Sequence, residues 1–165
     1  MFNLFGQDKN PRKLAEKARQ ENDPHKAVNL YSDAIKYEKE GKSPNRAFLS
    51  ELYLLRGEIY LNQGVAILSS SDFLHAIEYN PQNGVAHNDL GIWFTLAQFT
   101  TPDYSRALEH AEKAVEYCPE RQDFRMNLAV IKIKNGQKET GRMELEELYK
   151  NGYGNAKIAM ERFCE

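Results

Sequence analysis

From residue 11 onward, apolar side chains return at every third or fourth position and the run then breaks at a glycine or proline. Ala27, Leu30, Tyr31, Ala34 and Ile35 show the spacing in one stretch, and Leu52, Tyr53, Ile59 and Tyr60 repeat it in another. This is the period of a helix with one buried face; a half-buried strand alternates every second residue, and no segment does so convincingly. The punctuation agrees. Asn10-Pro11, Asp23-Pro24, Ser43-Pro44 and Thr101-Pro102 each set a capping side chain ahead of a residue that has no N–H to lose in a first helical turn. Gly41, Gly64, Gly136 and Gly152 follow helical runs, where a left-handed C-terminal cap favours a residue without a Cβ. Helices are therefore expected over 11–21, 24–40, 44–63, 65–79, 84–99, 102–117, 121–135, 138–150 and 155–164. The joining turns are short, so successive helices should pack antiparallel as hairpins.

The hairpins are also related to one another. Gly57 and Gly91 lie 34 residues apart. The first is accompanied by Tyr53, Tyr60, Phe73, Ala76 and Pro81, and the second by Leu90, Phe94, Ala107, Ala111, Ala114 and Pro119. A glycine inside a helix costs about 1 kcal/mol relative to alanine, so these two make sense where a partner helix presses on the backbone. An aromatic and a Leu-Gly-type position on one helix, then small, large, small and a closing proline on the next, resembles the tetratricopeptide repeat. Leu14, Ala15 and Ala18 with Ala27, Tyr31 and Ala34 extend the resemblance toward the N-terminus, and Leu128 and Ala129 with Gly141, Leu145 and Leu148 extend it to residue 155.

The resemblance implies an all-α, antiparallel helix-hairpin solenoid with the right-handed superhelix of that family. It implies one domain over 1–165, with repeats at about 8–41, 50–83, 84–121 and 122–155 and a C-terminal capping helix over 155–164. Departures are local. Eight extra residues around Glu40-Gly41-Lys42-Ser43 separate the first two repeats, and Thr100-Thr101-Pro102-Asp103 lengthen the turn of the third. Arg56 stands where leucine is usual, Ser69 where alanine is usual, and His87 where the family often has tryptophan.

Composition narrows the function more than the fold. With 165 residues and 41% hydrophobic content the chain can build a core without metals or disulfides. Its 28% charged residues and net charge of −2 lack the excess of lysine and arginine that nucleic acid or anionic lipid would call for. The two cysteines, Cys118 and Cys164, form no CxxC pair, which suggests neither a zinc knuckle nor a secreted disulfide framework and fits a cytoplasmic protein. Cys118 is expected as a small buried hydrophobe and Cys164 as an exposed residue. The apolar start, Phe2, Leu4 and Phe5, is cut short by Gln7-Asp8-Lys9, leaving no signal-peptide core and no membrane span; it reads as a frayed end or a patch against the first helix. His25, His75, His87 and His110 fall on separate expected helices, and no HExxH, GxSxG, GxxxxGK[ST] or GxGxxG motif occurs. No catalytic, cofactor-binding or metal-ligating residue is assigned, and an enzyme is not expected; His87 is read as a packing residue.

What remains is a surface. In tetratricopeptide proteins the first helix of each hairpin lines an inner groove, and the resemblance carries that register onto this chain. The first repeat then offers Arg12, Glu16 and Arg19; the second offers Glu51, Leu54, Glu58 and Leu61. The third offers Val85, Asn88, Ile92 and Leu96, and the fourth Met126, Val130 and Ile133. Members that grip acidic chaperone tails use basic and amide residues at inner positions, whereas the matching places here hold Glu16, Leu55, Glu58 and Asp89, which would repel such a tail. The lining instead suits an apolar helix or extended segment. The expectation is a protein–protein interaction module, an adaptor or chaperone-like scaffold holding a short apolar-rich segment. The alternatives are self-association, with the groove accepting the N-terminal segment or C-terminal helix of a neighbour, and a protein similar in format to secretion chaperones. The last helix, with Ile158, Met160 and Phe163, is expected to fold over this groove surface as a cap, since the end of a solenoid must be covered.

Overall fold

Each helix begins where a side chain can accept the N–H groups that the first turn leaves free. In the computed structural model, which describes residues 9–96 and 101–164, Asn10 Oδ1 accepts from the N–H of Arg12 and Lys13 to open α1 (Pro11–Gln20). Asp23 does the same for His25 and Lys26 at the head of α2 (Pro24–Glu40). The other two Pro-marked starts shift. Asn45, not Ser43, caps α3 (Arg46–Asn62), and Asp103, not Thr101, caps α6 (Tyr104–Tyr117). In both cases the proline sits immediately ahead of the capping residue, outside the helix, instead of at its first position.

Helix ends divide by what the chain does next. Gly64, Gly136 and Gly152 take φ of 73°, 88° and 90°, and within three residues each is followed by the next helix: α4 (Ala66–Tyr79), α8 (Lys138–Lys150) and α9 (Asn155–Phe163). Gly41 does not adopt the expected left-handed cap. Its φ of −64° and ψ of 156° are extended, because the eight-residue insertion carries the chain onward instead of reversing it at once. The expected helix over 84–99 is shorter as well. α5 (Gly84–Phe94) stops when Thr95 turns its N–H and hydroxyl onto the Ile92 carbonyl and Asp103 N–H takes the Phe94 carbonyl; 97–100 lie outside the described residues, as does the N-terminal run with Phe2, Leu4 and Phe5. α7 (Gln122–Lys134) completes the set: nine helices and no strand among the described residues.

The helices gather into two compact units, one ending at Pro81 with α1–α4 and one beginning at Gln82 with α5–α9. In the first unit consecutive helices pack in sequential order. Gly57 allows α3 to close on α4: a Cβ there would stand 2.8 Å from Cε1 of Phe73, a fully buried ring with no room to retreat. Arg56, one residue earlier, explains its departure from leucine. Its guanidinium binds both carboxylate oxygens of the buried Asp72 on α4, at 2.8 and 2.7 Å, and donates to Ser32 Oγ on α2 at 2.8 Å. The residue therefore ties three helices together with hydrogen bonds where its apolar counterpart would only fill space. Ser69 stays buried because its hydroxyl donates to the Ala66 carbonyl within its own helix.

The second unit is also built on sequential hairpins. A Cβ on Gly91 would lie 3.2 Å from the Ala107 carbonyl oxygen, so α5 and α6 meet backbone to backbone, with Ala107, Ala111 and Ala114 buried along the seam. Gly141 plays the same part between α8 and the backbone of α7 at Ala129. α9 then folds onto both α8 and α7, burying Ala156 and Ala159 against Leu145, Leu148 and Ala129. The fold class is the all-α helical-repeat solenoid expected from the pattern. No described helix is long and apolar enough to cross a membrane.

Candidate functional site

α5 and α7 are both first helices of their hairpins, and in the second unit they touch directly. The contact begins with amides: Asn127 Nδ2 donates to Asn88 Oδ1 at 3.0 Å, and Asn88 Nδ2 donates to Asp89 Oδ1, also at 3.0 Å. Burial pushes the Asp89 carboxyl above its ordinary range, and the Asn88 bond and the nearby Arg121 charge pull back against that rise. One helical turn farther along, the polar surface gives way to an apolar cleft of about 550 Å³. Ile92 and Leu96 form one side, Met126 and Val130 the floor, and Ile158 and Phe163 of α9 the far wall.

Four of the ten groove residues read from the sequence thus converge: Ile92, Leu96, Met126 and Val130. Leu96 does so from just beyond the end of α5 instead of from within it. Asn88 is buried in the adjoining amide pair, and Val85 is half-buried in the first turn of α5 without lining the cleft. Ile133 packs toward Leu145 and Leu148, against the close approach of Gly141. Leu54, Glu58 and Leu61 belong to α3 of the first unit, where Leu54 is buried and the other two are half-buried.

Sequence reasoning missed Lys134 and Arg162, whereas Ile158 and Phe163 of the last helix, expected to fold over the groove as a cap, line it as a wall. Lys134 follows Val130 by one turn on the same face, so extending the register would have found it. Arg162 faces the cleft because α9 returns to α7, a placement that the expected cap implies but that no local pattern assigns to this residue. Lys134 Nζ lies 5.3 Å from the Phe163 ring centroid, and the Arg162 guanidinium lies 5.3 Å from the same centroid. Both side chains line the cleft and are exposed at its rim.

A second polar feature sits on the α5–α6 seam. His87 Nδ1 and His110 Nδ1 stand 3.0 Å apart, so one imidazole donates and the other accepts, which requires the accepting ring to be neutral. His110 also stacks on Phe94, and His87 tilts against Tyr117. Burial, reinforced by His87, pushes His110 down to about 4. The packing role read for His87 holds, with a partner 23 residues away that sequence spacing had left separate. Cys118 is half-buried beside Gly84 instead of fully buried, and Cys164 is half-buried against the α8–α9 core instead of exposed. Among the described residues no three His, Cys, Asp or Glu side chains converge to hold a metal ion.

No protein-family model matches the chain, and no curated protein does. Solved structures do. YrrB, described as a TPR protein with an unusual peptide-binding site, is similar at a TM-score of 0.70 and 16% identity, over 94% of this chain and 79% of YrrB. MamA is similar at 0.68 and 16% identity, over 92% of this chain and 79% of MamA. BtubC (BKLC) from P. vanneervenii is similar at 0.66 and 17% identity, over 92% of this chain and 76% of its own. At such identities the likeness carries the fold: stacked helical hairpins of tetratricopeptide type.

Proposed function

We propose that this chain, a helical-hairpin solenoid of tetratricopeptide type, is a protein-interaction module that holds a short apolar-rich segment of a partner protein in the cleft of its second unit. The observation that supports this reading is the cleft itself. Ile92, Leu96, Met126 and Val130 present apolar surface to one opening, and α9 walls that opening without filling it. Ile158, on the wall, remains 63% exposed, a large apolar side chain left uncovered by the chain's own packing. Asn127, which lines the same cleft, sets an amide beside the apolar floor, the mixture by which pockets fix orientation as well as affinity. An anchor burying roughly 300 Å² of apolar surface gains about 7 kcal/mol before the losses of association are subtracted, so binding weaker than micromolar is expected from the anchor alone. The role is adaptor-like or chaperone-like and involves no chemistry on the partner. The cytoplasm, where the two free cysteines would stay reduced, is the proposed setting.

The experiment is retention of a partner, or of a peptide selected from a displayed library, by wild type and by Ile92→Asp and Val130→Asp, with helicity checked by circular dichroism. Either charge, set into the lining of the cleft, should abolish retention while the fold persists. Undiminished retention by both variants would overturn the proposal. A second reading, self-association, draws on Ile67 and Leu74, 81% and 54% exposed and two turns apart on one face of α4. Light scattering across a concentration series decides it: a constant monomer mass removes this reading and leaves the first.

A further inference from the structure

The cleft is apolar at its floor but not neutral at its edge, and the sign of that edge narrows what can enter. Nearby cations of the same helices are matched: Lys132 of α7 pairs with Glu144, and Lys157 of α9 pairs with Glu161. Arg125 and Arg142 likewise meet Glu147 and Glu146. Lys134 and Arg162 differ. Both turn to the cleft, both lean on the Phe163 ring, and neither has an ion-pair partner among the described residues. No carboxylate lines the cleft among those residues either. Two cations from different helices thus bracket one aromatic ring at one end of an apolar trough, while the Asn88–Asn127 amides and Asp89 mark the other.

We propose that the partner segment of this cleft carries an acidic side chain, aspartate or glutamate, beside its apolar anchor, and that it lies with this acid at the Lys134–Arg162 end. The inference rests on the binding function proposed above and adds the charge and the direction of the ligand. The apolar floor supplies most of the affinity, and the two cations select among apolar segments and orient the one that binds. A basic segment would set like charge against the two cations, and an uncharged one would leave them paired with water alone. Lys134 in the last turn of α7 also complements that helix's C-terminal partial charge, and Arg162 does so for α9. That structural role would be served equally by any outward rotamer and does not require both side chains to turn to the same cleft.

The test is selection of random 12-residue peptides displayed on phage against the full chain, followed by affinity measurement on the enriched sequences as acetylated, amidated peptides, so that no terminal carboxylate contributes. Wild type should enrich peptides with two or three large apolar residues flanked by an acid. Lys134→Gln/Arg162→Gln, which keeps the size and removes the charge, should weaken an enriched acidic peptide about fivefold to tenfold and flatten its salt dependence. Lys134→Glu/Arg162→Glu should shift the enriched flanking charge to lysine and arginine while keeping the apolar anchor. Apolar enrichment without acid preference, unchanged in the charge-reversed chain, overturns this inference and leaves the binding function standing. Absence of any enrichment that Val130→Asp abolishes overturns both.

Discussion

Replacing Asp72 with alanine should destabilise the first unit by about 3 kcal/mol, and the reason lies in what Arg56 would lose. The guanidinium has two bonds to Asp72, of 2.8 and 2.7 Å, and one to Ser32. The Arg56 side chain is 17% exposed and that of Asp72 4%. Breaking a buried pair by removing one partner costs about 3–5 kcal/mol, because a charge is left where water cannot fully reach it. Arg56 keeps some access to solvent, which places Asp72→Ala at the lower end. Arg56→Leu strands the less accessible carboxylate and should cost at least as much. The double variant Arg56→Leu/Asp72→Ala removes both charges and restores the leucine usual at this repeat position, so it should lie within about 1 kcal/mol of wild type. The coupling between the two sites, the two single losses less the double loss, is then about 5 kcal/mol. Urea titration at pH 7 by far-ultraviolet circular dichroism measures all four chains, and the single tryptophan, Trp93, reports on the second unit independently. A double variant whose loss equals the sum of the two single losses would refute the argument that Arg56 and Asp72 act as one unit.

Two further outcomes follow from the second unit. Gly91→Leu should cost more than about 3 kcal/mol and Gly91→Ala about 1 kcal/mol despite alanine's better helix propensity, because the obstacle 3.2 Å away is the Ala107 backbone carbonyl, not a side chain that can swing aside; denaturation followed by Trp93 fluorescence measures both, and a stabilised Gly91→Ala would contradict the close approach. Stability should also fall with acid. His110 is depressed to about 4 by burial and by His87, so below its ordinary value of 6.5 the unfolded chain takes up a proton that the folded chain refuses. The contribution is fully present above about pH 7 and is lost progressively as pH drops from about 6.5 toward 4, by roughly 2–3 kcal/mol at most. Asp89, raised by burial, acts in the opposite sense at the lower end, so the clean comparison is pH 7 against pH 5. His110→Gln should flatten that difference; an unchanged slope would show that the pair is not its source.

The helical pattern, the repeat and the close approaches at Gly57 and Gly91 were legible in the sequence because they are local: a period, a proline, a missing Cβ. The misread starts at Ser43 and Thr101 were local too, with the nearer Asn45 and Asp103 outcompeting them as caps. Gly41 was misread because a left-handed cap serves a chain that must reverse at once, and the insertion after α2 removes that need. The site was half legible. Ile92, Leu96, Met126 and Val130 share a face by register alone, whereas Ile158, Arg162 and Phe163 reach it only because α9 folds back on α7, a tertiary fact. The Arg56–Asp72–Ser32 network was invisible for a similar reason: its members sit on three helices, and the sequence shows only that a leucine is missing.

The central claim, that this cleft receives a partner's apolar segment, is tested most directly by photo-cross-linking. A peptide enriched on the wild-type chain, with benzoylphenylalanine replacing one apolar anchor, is irradiated in complex and the adduct mapped by mass spectrometry. Adducts at Met126, Ile158 or Phe163, abolished by excess unlabelled peptide, are the result the account predicts. Adducts confined to α1–α4, with the same peptide still bound, would contradict it.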